Sequence, residues 1–252
     1  MLVLFLYGYV GLLGVCIGSF LNVVIHRLPR RESVIRPRSR CPQCGARLVW
    51  HHNVPVLSYL GLRGRCATCR APIPRSYLLV EVGTAVTFIV LFHLFGWSWL
   101  LLRYATLAAL LIAAAEIDRR HGIIPNRLVA VGSGLGLTLM LVINTNDLGP
   151  YVLAAVACAG LLLLIRIGSS HLWGRPGLGL GDVKLVAMMG LYLGWSTLWI
   201  FYLAMVLGGT LGLVGLLTQR FQRTTLLPLA PFIALGTGLH WTVLPPSLLL
   251  PV

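Results

Sequence analysis

Long apolar runs separated by short polar breaks dominate the pattern of this chain. Eight of them read as membrane-spanning helices: about Leu2–Ile25, Tyr77–Phe95, Trp99–Ile117, Ile123–Ile143, Tyr151–Ile167, Val183–Trp199, Ile200–Leu217 and Leu226–Leu244. A spanning helix needs roughly 20 predominantly apolar residues. The break around Trp195–Tyr202 has few polar residues, so seven is the competing count. One long polar segment, from about His26 to Ser76, separates the first run from the rest. The expected fold is therefore an all-α polytopic membrane protein of about eight transmembrane helices with a small cytoplasmic four-cysteine loop domain. The expected division is a first transmembrane helix (1–25), the four-cysteine loop (26–76) and a membrane domain (77–252).

Composition agrees with lipid as the main solvent. Charged residues make up 10% of the 252 positions and hydrophobic ones 58%, against about 25% charged in a soluble domain. Mean hydropathy is +0.88. The net charge of +14 permits a nucleic-acid partner in principle, but its distribution points elsewhere. Eleven arginines lie between His26 and Ser76, and later basic residues cluster in alternate loops, at Arg119–Arg120, Arg166 to Lys184, and Arg220–Arg223. With eight spans all these loops share one side, which the positive-inside rule makes cytoplasmic. Arg103 is the main basic residue assigned to the opposite side. The first run lacks a positive n-region and is too long for a cleavable signal. Near its end, Ser19, Asn22 and His26 share one helical face, as expected of polar contacts between helices.

The long loop carries two hooks, Cys41-x2-Cys44 and Cys66-x2-Cys69, with 21 residues between them. Four thiolates on two tight turns complete a tetrahedral site, so the spacing favours a structural metal, zinc above others. Gly45 and Gly64 flank the hooks and ease tight turns. Disulfides and a redox pair are the alternatives; a cytoplasmic loop disfavours stable disulfides. Cys16 and Cys158 lie within apolar runs and read as small buried residues.

Acid is scarce: three aspartates and three glutamates in all. Asp118 ends an apolar run, and Asp182 follows Gly177, Gly179 and Gly181. Ionisable groups near bilayer depth are functional candidates, and two carboxyls can work as acid and base on a water molecule. Taken singly, Asp182 reads equally as the N-cap of a helix after a flexible loop. Asp118 alone reads as an interfacial carboxylate paired with Arg119 or Arg120. Glycines beside Asp182, Gly179 and Gly181 in particular, suit a loop that adapts to an extended peptide. The third aspartate, Asp147, reads as a turn residue.

Taken in order, the motifs GSFLNVVIHRLPR (Gly18–Arg30), the two CxxC hooks, NVPVLSYLGLRGRC (Asn53–Cys66), IPRSYLLVE (Ile73–Glu81), IDRRHGIIPN (Ile117–Asn126) and GLGLGDVKL (Gly177–Leu185) resemble the prepilin peptidases. These are bifunctional membrane aspartyl proteases of type IV pilus and type II secretion systems, in the bacterial inner membrane. The resemblance implies that Asp118 and Asp182 are the catalytic pair. It implies cleavage of a basic leader from prepilins and pseudopilins at the cytoplasmic face. It also implies N-methylation of the new terminus with S-adenosylmethionine, an activity it associates with the cytoplasmic loop and Glu81. From residues alone, Glu81 equally pairs an interfacial arginine. Departures from the family pattern are Asn126 where relatives often carry aspartate, Val129 where a threonine is common, and Leu78 where a proline is common. Glu116 lies two residues from Asp118, on nearly the opposite helix face, and is not assigned to catalysis. Asp118 near a helix C-terminus and Asp182 near an N-terminus give Asp182 the role of base and Asp118 that of proton holder. The competing functions are a GxGD intramembrane protease of other specificity and a non-enzymatic zinc-bearing membrane scaffold or transporter. The expected partners are pilins and the lipid bilayer, with no nucleic acid.

Overall fold

The computed structural model describes the chain except residues 37–38, 42, 50–53, 144–147, 175–176, 221–226 and 244–252, and the side chain of Trp173. Asp147 therefore lies outside the described residues. The described residues form α1 (Leu2–Arg27), a one-turn α2 (Leu57–Gly61), α3 (Arg75–Phe95), α4 (Trp99–His121), α5 (Asn126–Ile143), α6 (Leu148–Trp173), α7 (Leu180–Leu193), α8 (Ser196–Leu217) and α9 (Ala230–Val243). Pairing of extended chain is limited to two isolated bridges among these residues. The all-α membrane architecture expected from the apolar pattern is what the structure has.

Among the described residues six helices, α1, α3, α4, α5, α6 and α8, are long and apolar enough to cross a bilayer. α7, and α9 over its described residues, have 14 residues each, or roughly 21 Å at 1.5 Å per residue. The count of eight spans is thus approximate. The turn between the sixth and seventh apolar runs also falls earlier than expected. Gly194, at φ +57°, ends α7, and only glycine adopts that conformation without steric cost. α8 then starts at Ser196.

Two compact units divide the chain, Met1–Trp97 and Ser98–Val252. In the first, α1 packs along α3, so α3 groups with α1 and the four-cysteine loop. The approach is close because Gly14 and Gly18 share one face of α1. A Cβ at Gly14 would stand 2.6 Å from Ala85 Cα, and one at Gly18 2.7 Å from Glu81 Cα. Small residues four apart let membrane helices come together in this way. Asn22, on the same face and buried, donates from Nδ2 to the Tyr77 carbonyl at 3.0 Å, a contact of the kind expected of the polar stripe. Cys16 points off this face and is exposed, against expectation, whereas Cys158 is buried.

In the second unit, α4 packs on α9 and α6 on α7. Cys158 and Leu162 of α6 meet Val183 and Val186 of α7 in one apolar cluster. Arg103 is not an outer-loop charge: it lies within α4, 5% exposed. Its guanidinium stacks 4.3 Å over the Tyr151 ring, a cation–π contact that offsets part of the cost of burying the charge. Large apolar side chains such as Leu153, Val156, Leu164 and Leu217 are exposed along the long helices, as lipid contact requires.

Candidate functional site

The four hook cysteines come together in the first unit. Their Sγ atoms all lie within 4.8 Å of one another, with Cys41 and Cys69 Sγ 3.9 Å apart. A tetrahedral zinc with bonds of 2.3 Å separates its sulfurs by about 3.8 Å, so the four residues fit a metal of this kind. The hooks repeat one local design. The Cys41 N–H donates to the Ala46 carbonyl and the Gly45 N–H to the Cys41 carbonyl, each at 2.9 Å. In the second hook the Cys66 N–H reaches the Ala71 carbonyl at 2.9 Å and the Arg70 N–H reaches the Cys66 carbonyl at 3.1 Å. Bridges Arg40–Arg47 and Arg65–Pro72 close the two turns. Gly45 has φ +69° and Arg70, its counterpart, φ +61°. Gly64 is also in the left-handed region, so both expected turn glycines are used as such. Backbone N–H groups of Cys69 and Thr68 draw the Cys66 thiol down to about 6, while burial and the neighbouring thiols push Cys69 up to about 11, so the clustered thiols titrate as a set.

A cavity of about 200 Å³ opens between α1, α3 and the hooks, with Asn22, His26, Tyr59, Tyr77 and Glu81 in its wall. Glu81 is 8% exposed. Its Oε2 accepts the Val56 N–H at 2.7 Å. The partner found for Glu81 is thus a backbone amide, where residue reasoning alone allowed an arginine. Val56 itself sits at φ +60°, an uncommon conformation for a β-branched residue, and the carboxylate helps to hold it.

In the second unit, α4 brings Asp118 against the start of α9. Asp118 is buried, and its Oδ2 accepts the Ala230 N–H at 3.0 Å. α4 ends immediately afterwards, with Gly122 at φ +63° donating its N–H to the Asp118 carbonyl at 2.8 Å. The arginines that a solitary interfacial Asp118 would pair with turn to Glu116 instead. Arg119 makes a two-pronged pair with it at 2.8 Å and Arg120 donates from Nε at 2.7 Å. Glu116 is thereby a charge partner of both arginines.

Asp182 lies in the first turn of α7, partly exposed, and near enough to Asp118 to feel its charge. The glycines before it are explained by space. Asp182 Oδ2 curls back to within 2.8 Å of where a Gly179 Cβ would stand. A Cβ at Gly181 would come 3.1 Å from Ile124 Cβ, so the loop after Asp118 rests on the loop before Asp182. Lys184 Nζ donates to Asn126 Oδ1 at 2.9 Å, joining the starts of α7 and α5. Lys184 had read only as a positive-inside charge. Ala230 and the α6 residue Ser169 carry no chemical motif or local signal, while Asn126 stands out in the sequence only as a departure from the family pattern and Arg166 only as one of the clustered basic residues.

The geometry is a pair of carboxyls, one buried and amide-bound, the other partly open beside a glycine loop. The comparisons with known proteins identify a family. The bacterial peptidase A24 N-terminal domain matches residues 12–95, and the type IV leader peptidase family matches residues 105–214. The chain belongs to the type IV leader peptidase family. It is 36% identical over 250 residues to a prepilin leader peptidase/N-methyltransferase of Burkholderia pseudomallei (strain 1026b), covering 89% of this chain and 81% of the relative. A Myxococcus xanthus protein of the same description is 39% identical over 207 residues, or 81% of this chain and 62% of the relative's length. One from Pseudomonas aeruginosa is 33% identical over 256 residues, 89% of this chain and 86% of the relative. No solved structure matches.

Proposed function

We propose that this chain is a prepilin leader peptidase and N-methyltransferase of the bacterial inner membrane. It cleaves the basic leader of type IV prepilins and pseudopilins at the cytoplasmic face, then methylates the new N-terminal amine. The observation that carries the reading is the contact of the segment after Asp118 with the one before Asp182, at Ile124 and Gly181, in a chain with six acidic residues. The pair holds one proton between two carboxyls. The ionised carboxyl takes a proton from water as its oxygen attacks the scissile carbonyl carbon, and the other carboxyl gives its proton to the carbonyl oxygen. Collapse of the tetrahedral intermediate expels the amine, which leaves with a proton from the dyad. The Ala230 N–H donates to Asp118 Oδ2, and the Leu229 N–H also faces this carboxyl. The amide donor brings a second helix start, that of α9, onto Asp118. It therefore weakens the division of roles expected from the ends of α4 and α7, and the proton belongs to the pair as a unit.

The metal reading is structural zinc: Cys41, Cys44, Cys66 and Cys69 supply all four ligands and leave no open position. For methyl transfer, S-adenosylmethionine supplies an electrophilic methyl group. Glu81, in the cavity wall, is the candidate to take the proton of the pilin ammonium or to hold that cation. The test is mass spectrometry of a prepilin incubated with the detergent-solubilised protein. A leader-sized loss followed by a methyl-sized gain is expected. Asp182→Asn should abolish both, because methylation needs the new terminus. Glu81→Gln keeps an acceptor for Val56 and should lose only the methyl gain. Cleavage of other membrane helices but not of prepilin would favour a GxGD protease of other specificity. Neither mass change, with an active control substrate, would favour the scaffold.

A further inference from the structure

The glycine-rich segment that carries Asp182 has few side chains of its own to anchor it, Leu178 being packed against the apolar cluster of α6 and α7. Glycine backbone is freer than any other, so backbone contacts must also hold the segment. Two residues of α6 do so. Ser169, 6% exposed, accepts the Gly177 N–H on its Oγ at 2.9 Å and donates to the Arg166 carbonyl at 2.8 Å. Arg166 Nη1 donates to the Leu178 carbonyl. Consecutive residues of the loop are thus gripped, one by its donor and one by its acceptor. A Cβ at Gly177 would stand 3.3 Å from Ser169 Cβ and Oγ, so helix and loop are in direct contact.

α6 is itself fixed to α7 by the cluster of Cys158, Leu162, Val183 and Val186. The path from the clamp to Asp182 is short: Gly179, extended at φ −69° and ψ 142°, then Leu180 and Gly181. The position of the carboxylate is set from one end by the α6 clamp and from the other by α7. Arg166 otherwise reads as one more positive-inside charge, but its guanidinium is committed to a carbonyl. A lysine keeps the charge and lacks the planar fork.

We infer that Ser169 and Arg166 are positioning residues for the peptidase reaction, holding the Gly177–Leu178 backbone so that Asp182 meets Asp118. The inference rests on the reading of the two aspartates as the catalytic pair. The experiment is steady-state cleavage of a prepilin by the full-length protein in detergent, with methylation of pre-cleaved pilin followed in parallel. Ser169→Ala and Arg166→Lys should each lower kcat by about tenfold or more, since a displacement of about 1 Å costs on the order of 100-fold. KM should stay within about twofold, the pattern of an interaction felt in the transition state. Ser169→Thr keeps the hydroxyl and should restore most of kcat. Methylation of pre-cleaved pilin should be unchanged throughout. Wild-type kcat in both Ser169→Ala and Arg166→Lys, with Asp182→Asn inactive, overturns the clamp alone. A parallel loss of methylation and melting temperature also overturns it, by showing a global defect. Normal cleavage by Asp182→Asn removes the catalytic reading and the clamp with it.

Discussion

Cys41 and Cys44 share one turn, closed by the Gly45 N–H, which reaches back four residues to the Cys41 carbonyl. Asp118 and Asp182 stand 64 residues apart, and no local hydrogen bond joins them. The cysteine hooks are two copies of one short design. The aspartate site is assembled by packing: α4 on α9, Ile124 on Gly181, Lys184 on Asn126 and the α6 clamp on the loop. A local site fails when its own residues change, whereas an assembled site also fails through residues that never touch the substrate.

The largest effect should come from removing the metal. Structural zinc contributes on the order of 10 kcal/mol to small domains that depend on it. Chelation, or Cys44→Ser, should make the segment between Ser39 and Pro72 sensitive to protease and fast in hydrogen exchange. The exchange of α4 to α9 should stay slow; loss of protection there would break the contrast between a local and an assembled site. Next in size is the dyad. Asp118→Asn should lower cleavage by about 10²–10⁴-fold, the usual contribution of a general acid or base, while the metal content of the purified protein is unchanged.

Gly179→Ala probes assembly without touching a carboxyl. Its Cβ would meet Asp182 Oδ2 at 2.8 Å, and the carboxylate must rotate away. Cleavage should fall by about 10- to 100-fold with a melting temperature close to wild type. Retained kcat would show that the curled position of Asp182 is not the working one. The smallest effect is expected in the second hook. Arg70 holds the φ +61° that Gly45 holds at +69° in the first, and a non-glycine residue there costs about 1 kcal/mol. Arg70→Gly should tighten metal retention against a competing chelator by less than about tenfold. Weaker retention would mean that the arginine side chain contributes more than its backbone costs.

Much of this molecule was readable along the chain. Apolar run length marked every long helix, because a bilayer demands continuous apolar sequence. The C-x2-C spacing marked the hooks, because two ligands on one turn are a local matter. What escaped was whatever depends on distant packing. The end of α7 was misplaced because Gly194 lies within an apolar run whose turn has few polar residues. Arg103 was assigned to a loop, although the Tyr151 face lets α4 bury it. Arg119 and Arg120 offered themselves to Asp118 by proximity in sequence, but Glu116 is one helical turn before them and takes both.

By itself the sequence determined the class of solvent around this protein, the approximate helix count, the four cysteines that cluster and the two aspartates worth suspecting. These follow from composition and short-range spacing, which act before any fold exists. Only the tertiary structure decided what surrounds those aspartates. It set the start of α9 against Asp118, folded Asp182 back over Gly179, and gripped the glycine loop from α6. A carboxylate's role depends on the donors and charges within a few ångströms, and here those come from segments far away in the chain.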